Sequence, residues 1–235
     1  DLLDWLAVDF MEHGWDVKRI LKQMVLSDTY RQDSVTSPAL QTRDPENRLL
    51  ARGTRYRLPS WMLRDAALKT SGLLNPAVGG PPVRPYQPEG VWEEMFMGRF
   101  AYEPSEGPAQ YRRTVYAFWR RAISPTFLFD SAQRRVCEVR LTRTNTPLQA
   151  LTLLNDVNYL VAARALAEMA LRGGDDPASR FASITKRVLC RSPHPHELVV
   201  LQRELDRAQS HYTANPAAAV QLLRQIPQTE QLGAT

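Results

Sequence analysis

Apolar residues recur every three to four positions in several stretches of the chain, which is the period of an amphipathic helix. The first such stretch runs from residue 1 to about residue 13 and ends at Gly14. The second begins after Asp16, a residue type that caps helices, and ends near Ser27. Together the two stretches predict a short helical hairpin at the start of the chain.

Pairs of a capping residue and a proline mark further helix starts, because proline is well tolerated at the first helical position. Asp44-Pro45 predicts a helix that ends at Gly53, with Leu49 and Leu50 facing inward. Thr146-Pro147, with Gln149 three residues after the cap, predicts a long central helix to about Leu171. Apolar spacing predicts four more helices, over 59–70, over 177–190, from the segment Ser192-Pro193-His194-Pro195 onward and, at the periphery, over 216–226.

The helical period is lost in the middle of the chain. Residues 34–42 form a polar stretch that predicts a loop, and residues 75–110 are rich in proline around a Gly79-Gly80-Pro81-Pro82 turn, with a short helical turn expected at 91–96. Residues 111–123 are compatible with a buried strand or a helix, and we favour the helix, whereas residues 124–142 are expected to be extended or irregular. The sequence therefore predicts a mainly α, irregular multi-helix single domain over 1–235, with a long Pro/Gly-rich middle loop and a peripheral tail at 214–235.

The start of the chain and its hydropathy bear on its context. The chain opens directly on a helical pattern without an initiator Met or a signal peptide, so we expect a fragment of a longer protein. No run of about 18 apolar residues is present, so no membrane span is expected.

The net charge of +5 does not by itself indicate nucleic-acid binding. Only four of the 30 basic residues are lysine, and the arginines are spread along the chain among 25 acids rather than clustered on one face. A solvated, arginine-rich surface is the better interpretation. We expect Arg48, Arg64 and Arg113 to bind carboxylates or backbone carbonyls, for which the planar guanidinium is suited.

Several polar residues lie where a surface location does not explain them. Buried polar groups must find partners, so the default expectation is a satisfied internal network, and the alternative is a polar pocket. The candidate residues are Asp44, Asn47, Arg48, Arg64, Asp65, Arg113, Asp130, Arg140, Asn145, Gln149, Asn155 and Asp156.

No cofactor or metal motif is found in the sequence. Cys137 and Cys190 belong to no haem-attachment or zinc motif, and they are expected to be buried free thiols, with a disulfide as the alternative. The segment from His194 to Glu197 superficially resembles a metal cluster, but the start of a helix explains it better. No catalytic triad or nucleophile elbow is present.

A set of short motifs, in a fixed order, resembles the planctomycete-type PSD1 domain family (DUF1553). The motifs include Leu3-Asp4-Trp5-Leu6-Ala7 with Gly14-Trp15, Ser27-Asp28-Thr29-Tyr30-Arg31-Gln32, Asp44-Pro45-Glu46-Asn47-Arg48-Leu49-Leu50, Arg64-Asp65-Ala66, Ser71-Gly72, Gly79-Gly80-Pro81, Arg112-Arg113-Thr114-Val115-Tyr116-Ala117-Phe118-Trp119, Phe129-Asp130, Cys137 and the stretch from Arg143 to Asp156. Ser131 and Leu141 depart from the family pattern, in which proline and arginine are common at these positions.

This resemblance implies a context rather than a reaction. Domains of this family typically follow a cytochrome c-like module and a DUF1549 module in exported bacterial proteins. It therefore implies a periplasmic or cell-surface location, those two modules as partners in the same polypeptide, and haem c bound in another module and not by this chain.

Two classes of function follow from the resemblance and the residues together. The first is a non-catalytic scaffold or docking module. The second is a polysaccharide-acting enzyme domain or carbohydrate-binding module, with Trp61, Trp92, Trp119 and Tyr86 as stacking platforms and Asp130 or Asp156 as acid or base. Whether the chain is an enzyme is left open, and a nucleic-acid role ranks third.

Overall fold

A computed structural model describes residues 1–120, 123–130, 143–174 and 176–226 of the chain. Within these residues the fold is mainly α, with eleven α-helices and no strand beyond isolated bridges. The predicted mainly α fold class is confirmed, whereas the long Pro/Gly-rich middle loop stays a prediction. None of the helices in the described part is long and apolar enough to cross a membrane.

The chain divides into two compact units, residues 1–57 and residues 58–235. The prediction of one domain over 1–235 stays a prediction beside this division. The first unit contains four helices: α1 (Leu2–Glu12), α2 (Val17–Leu26), α3 (Asp28–Arg31) and α4 (Pro38–Arg43).

The predicted hairpin of α1 and α2 is present in the first unit. Gly14 takes the left-handed conformation after α1, and the carboxylate of Asp16 accepts a hydrogen bond from the backbone N–H of Arg19 at the start of α2. The Arg19 guanidinium donates to both carboxylate oxygens of Asp9, at 2.6 and 3.0 Å, and so links the two helices. The hydrogen bond from Arg19 lowers the pKa of Asp9.

The helix predicted from Asp44 to Gly53 is wrong, as is the loop predicted over 34–42. Pro38–Arg43 forms α4, which the Ser37 hydroxyl caps, and Asp44 ends that helix. The Asp44 carboxylate then binds two backbone N–H groups that a continuing helix would need, so the chain turns instead. As a result, Leu49 and Leu50 are exposed rather than inward-facing.

The second unit contains seven helices in its described part, together with 3₁₀ turns at Gly107–Tyr111 and Thr114–Tyr116. The α5 helix packs on α8 and α9, α8 also packs on α7 and α9, and α10 packs on α9 and α11. The helices are α5 (Ser60–Thr70), α6 (Val91–Met95), α7 (Pro147–Asn155), α8 (Val157–Gly173), α9 (Pro177–Leu189), α10 (Pro195–Ala214) and α11 (Pro216–Gln225).

The predicted central helix is divided into two helices, α7 and α8, because Asp156 interrupts the helical conformation. The backbone of Asp156 is extended, and its carboxylate accepts from the N–H of Asn158, so it caps α8. Upstream, the predicted capping box of Thr146 and Gln149 is present at the start of α7.

The helix favoured over 111–123 is also wrong. Residues 114–116 form only a 3₁₀ turn, and this segment pairs with an earlier loop instead. The N–H of Val83 donates to the carbonyl of Tyr116 at 2.8 Å, and the N–H of Phe118 donates to the carbonyl of Val83 at 2.7 Å. These partners are distant in sequence, so local periodicity does not reveal them.

Two hydrophobic clusters lie in the core of the described part of the second unit. One contains Leu68, Leu73, Val161, Ala165 and Ile226, and the other contains Ala117, Phe127, Leu128 and Tyr159. Ile226 is 6% exposed, whereas α11 has no buried residue, and the peripheral tail predicted over 214–235 stays a prediction. Residues 227–235 lie outside the described residues.

Candidate functional site

The structure distributes the predicted polar residues over several separate groups. Asp44, Asn47 and Arg48 lie in the first unit, whereas the other described candidates lie in the second. Arg140, Cys137, Ser131 and Leu141 lie outside the described residues. Whether any of the groups forms a ligand site stays a prediction.

Asp44 organises the turn that follows α4. Its two carboxylate oxygens accept from the N–H groups of Arg48 and Leu49, each at 2.8 Å. The N–H of Leu49 is the main reason that the pKa of Asp44 is lowered. Next to it, Asn47 has a left-handed backbone and donates through Nδ2 to the carbonyl of Arg52 at 2.7 Å. This group therefore shapes the backbone.

Arg64 lies on α5 and is 2% exposed. Its Nη1 donates to the carbonyl of Arg112 at 2.9 Å and to the hydroxyl of Thr114 at 3.1 Å, and its Nη2 donates to the carbonyl of Gln110 at 2.7 Å. Its guanidinium lies 4.8 Å from the centre of the Phe127 ring. Burial lowers the pKa of Arg64 to about 10, although the Asp65 carboxylate opposes this change.

Asp65, the next residue on α5, holds the same distant segment. Its Oδ1 accepts from both the backbone N–H and the hydroxyl of Thr114, each at 2.7 Å. Its Oδ2 lies 3.7 Å from Nε of Arg113, whose side chain is about half exposed. Thr114 thus links Arg64 and Asp65. Thr114 lies in one of the motifs shared with the family, but it is not among the candidate residues predicted from the sequence.

Asp130 and Gln149 form a third group in front of α7. Asp130 has a left-handed backbone, and its carboxylate accepts from the N–H of Thr144 at 2.8 Å and from the Thr144 hydroxyl. Gln149 is buried, and its Nε2 donates to Asp130 Oδ2 at 3.1 Å and to the Thr144 hydroxyl oxygen at 2.7 Å. Asn145 lies between Thr144 and Thr146, the N-cap of α7.

Asp156 forms the fourth group, at the break between α7 and α8. Its Oδ1 accepts from the N–H and the side-chain amide of Asn158, each at 2.9 Å, and its Oδ2 accepts from the Thr126 hydroxyl. The neighbouring Asn155 is exposed and donates to the carbonyl of Leu151 at 3.0 Å. Burial raises the pKa of the Tyr159 hydroxyl, which has no hydrogen-bond partner among the described residues.

Arg112 stabilises the Gly79-Gly80-Pro81-Pro82 turn, a role that the sequence analysis missed. Its guanidinium donates to the carbonyls of Ala77 and Pro81, at 3.2 and 3.0 Å, and to that of Gly79. It also lies 3.7 Å from the centre of the Tyr116 ring, and the Tyr116 hydroxyl oxygen accepts from the Gly79 N–H. The prolines and glycines predicted a turn, but nothing in the local sequence indicated that Arg112 stabilises it by hydrogen bonds.

Trp92, one of the aromatic platforms expected from the sequence, is buried. Trp92 is 3% exposed and donates through Nε1 to Gln87, so it cannot present a face to a ligand. A cleft of about 830 Å³ lies beside it, and neither Trp92, Trp61, Trp119 nor Tyr86 lines that cleft. Its walls include Arg84, Tyr102, Glu103, Glu106 and Phe118, none of which was a sequence candidate.

No metal-binding group of three His, Cys, Asp or Glu side chains is found in the described part of the chain. Glu197 binds Arg191 through two hydrogen bonds of 2.7 and 2.8 Å, and it accepts from the N–H of His194 at the start of α10. The rings of His194 and His196 stack, with their centres 5.6 Å apart. Cys190 is exposed and is a free thiol, contrary to the expectation that it is buried, while the predicted alternative disulfide involves Cys137, which lies outside the described residues.

The four aspartates have a common chemical feature. Asp44, Asp65, Asp130 and Asp156 each accept at least one backbone N–H and a second donor from this chain. A carboxylate whose oxygens already accept hydrogen bonds from this chain is poorly placed to exchange a proton with a substrate. The arrangement therefore supports structure and binding better than acid–base chemistry.

Comparison with known proteins gives one match. The family model described as PSD1, protein of unknown function (DUF1553), matches residues 1–205. Neither a curated protein nor a solved structure matches the chain.

Proposed function

The chain belongs to the PSD1 family of proteins of unknown function (DUF1553), and we propose that it is a non-catalytic docking module. The observation that carries this proposal is the exposed apolar surface of α1 and α2. Neither helix has a buried residue, although both are rich in large apolar side chains. Monomeric proteins rarely expose contiguous apolar patches of this kind unless a partner covers them.

The exposed residues of α2 follow a regular spacing. Val17, Leu21 and Val25 recur every four residues, so they form one stripe along the helix, and Leu21 is 53% exposed. Lys18 and Lys22 directly follow Val17 and Leu21 in sequence, so they lie along one edge of this stripe. This stripe, here called the α2 stripe, has the form of a helix face that binds an apolar groove.

The family resemblance supports a partner in the same polypeptide. Such domains follow a cytochrome c-like module and a DUF1549 module in exported proteins, so we propose that the α2 stripe docks on one of these modules. Haem c would then lie in the cytochrome c-like module, and this chain would serve as its structural support outside the cytoplasm.

The enzymatic alternative has less support. Asp130 and Asp156, the acid and base expected from the sequence, are engaged by Thr144, Gln149, Asn158 and Thr126. An acid or base must reach the proton that it transfers, and these carboxylates are already hydrogen-bonded within the chain.

Binding between the full chain and the separately produced DUF1549 and cytochrome c-like modules tests the docking role. The double variant Leu21→Asp with Val25→Asp should weaken binding at least about tenfold, because charges would enter the apolar contact. The matched control is Val78→Asp, which changes a residue that is 88% exposed in the second unit and should leave binding unchanged. Circular dichroism checks that each variant keeps its helices.

A longer protein that contains this chain together with the two modules allows a second measurement. Removal of residues 1–235 should abolish docking and leave the haem spectrum and redox potential intact. The docking role is wrong if neither module binds the chain, if the control weakens binding as much as the double variant, or if the deletion abolishes polysaccharide turnover while docking is kept.

A further inference from the structure

The cleft beside Trp92 has the shape and lining of a ligand site. It encloses about 830 Å³ and is lined by Arg84, Tyr102, Glu103, Ser105, Glu106, Phe118 and three prolines. Small-molecule sites in proteins typically enclose about 300 to 1,000 Å³. We propose that this cleft binds a neutral glycan, as a short run of sugar rings.

The aromatic residues of the cleft wall pack on the buried Trp92. The Trp92 ring stacks on Tyr102 and on Phe118, with ring centres 5.0 and 5.9 Å apart. The Tyr102 hydroxyl donates to the carbonyl of Pro85 at 2.7 Å, which fixes the ring. Burial raises the pKa of Tyr102 to about 12, so the hydroxyl keeps its proton for this bond. Rigid aromatic faces suit the apolar C–H face of a sugar ring, because neither partner loses much conformational freedom.

The polar lining contains both kinds of hydrogen-bonding group. The carboxylates of Glu103 and Glu106 accept hydrogen bonds, and the guanidinium of Arg84 donates them. A sugar hydroxyl both donates and accepts, so a row of hydroxyls can use acceptors and donors together. A purely cationic or purely anionic ligand would match only part of this lining.

The two walls are also connected through the backbone. The N–H of Arg84 donates to the Ser105 hydroxyl oxygen at 2.9 Å, and the N–H of Ser105 donates to the Arg84 carbonyl at 2.8 Å. These bonds hold Arg84 against the segment that carries Glu103 and Glu106. The cleft is therefore preorganised, which reduces the cost of ordering it on binding.

A proline-rich peptide fits the cleft less well. Grooves for such peptides rely on aromatic hydroxyl or indole N–H groups that donate to peptide carbonyls. Here the Tyr102 hydroxyl is bound to Pro85 and the Trp92 indole is bound to Gln87. The available donors and acceptors are instead charged side chains at the rim.

Titration of the full chain with cellohexaose, xylohexaose and laminarihexaose, measured by calorimetry, tests this assignment. At least one oligosaccharide should bind, and Glu103→Gln with Glu106→Gln should weaken that binding at least about tenfold. Affinity should change little between about 0.05 and 0.5 M salt, because the ligand is neutral. The matched control is Glu89→Gln, an exposed glutamate in the same loop that does not line the cleft.

Several outcomes would overturn the assignment. They are the absence of binding at millimolar oligosaccharide, equal weakening by the control, and tight binding of a proline decamer at the same cleft. Phe118→Leu adds a second test, since it removes an aromatic face while keeping an apolar residue; unchanged glycan affinity in that variant would also count against stacking. The glycan role is separate from docking through the α2 stripe, so the two can fail independently.

Discussion

The guanidinium of Arg64 lies 4.8 Å from the centre of the Phe127 ring, and both side chains are buried. The ring covers one part of the cation while the main-chain carbonyls of Gln110 and Arg112 accept from its edge. A buried charge is tolerated only when it is paired and hydrogen-bonded in this way. Arg64 therefore connects α5 to an irregular segment about 50 residues further along the chain.

Arg64→Met should lower the free energy of unfolding by about 3 kcal/mol, because it leaves three acceptors without their donor, two of them in buried hydrogen bonds. Arg64→Lys should cost less, since one ammonium can still satisfy part of this set. Urea unfolding followed by near-UV circular dichroism measures both. Arg99→Met, at an exposed arginine, is the control, and an equal loss in that variant would contradict the role of Arg64.

Gln149→Glu should destabilise the protein by about 2 kcal/mol at neutral pH, although glutamate is favoured in a capping box. The Gln149 amide donates to Asp130, and a glutamate would place a second negative charge there. Repulsion would raise the pKa of this carboxyl pair in the folded state. The cost should therefore be absent below the unfolded pKa of about 4 and should appear as the pH rises.

Thermal unfolding of the Gln149→Glu variant between about pH 3.5 and pH 7 measures this dependence. Gln209→Glu on α10 is the matched control, because it changes an exposed glutamine in the same way. A cost that does not change with pH would show that like-charge repulsion is not its source.

Glu197→Gln should remove a pH-dependent part of the stability of α10. The hydrogen bonds from Arg191 lower the pKa of Glu197 from its ordinary value of 4.5 to about 2. A lowered folded pKa contributes stability above pH 4.5, and that contribution is lost as the pH falls toward 2. The melting temperatures of the parent and the variant should thus converge on acidification.

Arg191→Gln should give the same convergence, because it removes the main cause of the shift in the pKa of Glu197. Melting curves recorded at several pH values between 2 and 4.5 measure this convergence. A constant difference between the parent and Glu197→Gln down to pH 2 would rule out the linkage.

Gly53→Ala should destabilise the first unit by about 2 kcal/mol, because there is no space for a side chain. A Cβ at this position would stand 2.6 Å from the carbonyl oxygen of Gln32. Gly174→Ala is the matched control, since its Cβ would meet Ser179 at an ordinary 3.7 Å. Hydrogen exchange of the Gly53 N–H, which donates to the Asp33 carbonyl, reports the local loss, and equal effects of the two variants would contradict the clash.

Local signals predicted the helix starts well where the capping side chain had no competing use. Asp16 and the Thr146–Gln149 box cap helices as their spacing indicated. Asp44 failed as an N-cap because the same carboxylate binds N–H groups further along and bends the chain. A capping residue followed by proline is present at both Asp44 and Thr146, and the residues that follow decide which hydrogen bonds form.

The polar contacts of the second unit could not be predicted in the same way. Arg64 was selected as a candidate, but its acceptors are main-chain carbonyls of Gln110 and Arg112, which every residue type possesses. The cleft residues Arg84 and Glu103 were missed because each looks like an ordinary surface charge until the loops are folded. Partners that depend on tertiary structure leave no periodic or motif-like trace.

The hydrogen bonds from Arg112 to the carbonyls of Ala77, Gly79 and Pro81 bear on which residues of this loop can be exchanged in evolution. Since those oxygens belong to the backbone, an exchange of Ala77 or of a nearby exposed residue such as Val78 should leave these hydrogen bonds intact. The conformation of this loop thus depends mainly on Arg112, which lies 31 to 35 residues further along the chain. Exposed side chains of this loop such as Val78 are therefore expected to tolerate exchange, while an exchange of Arg112 would be costly.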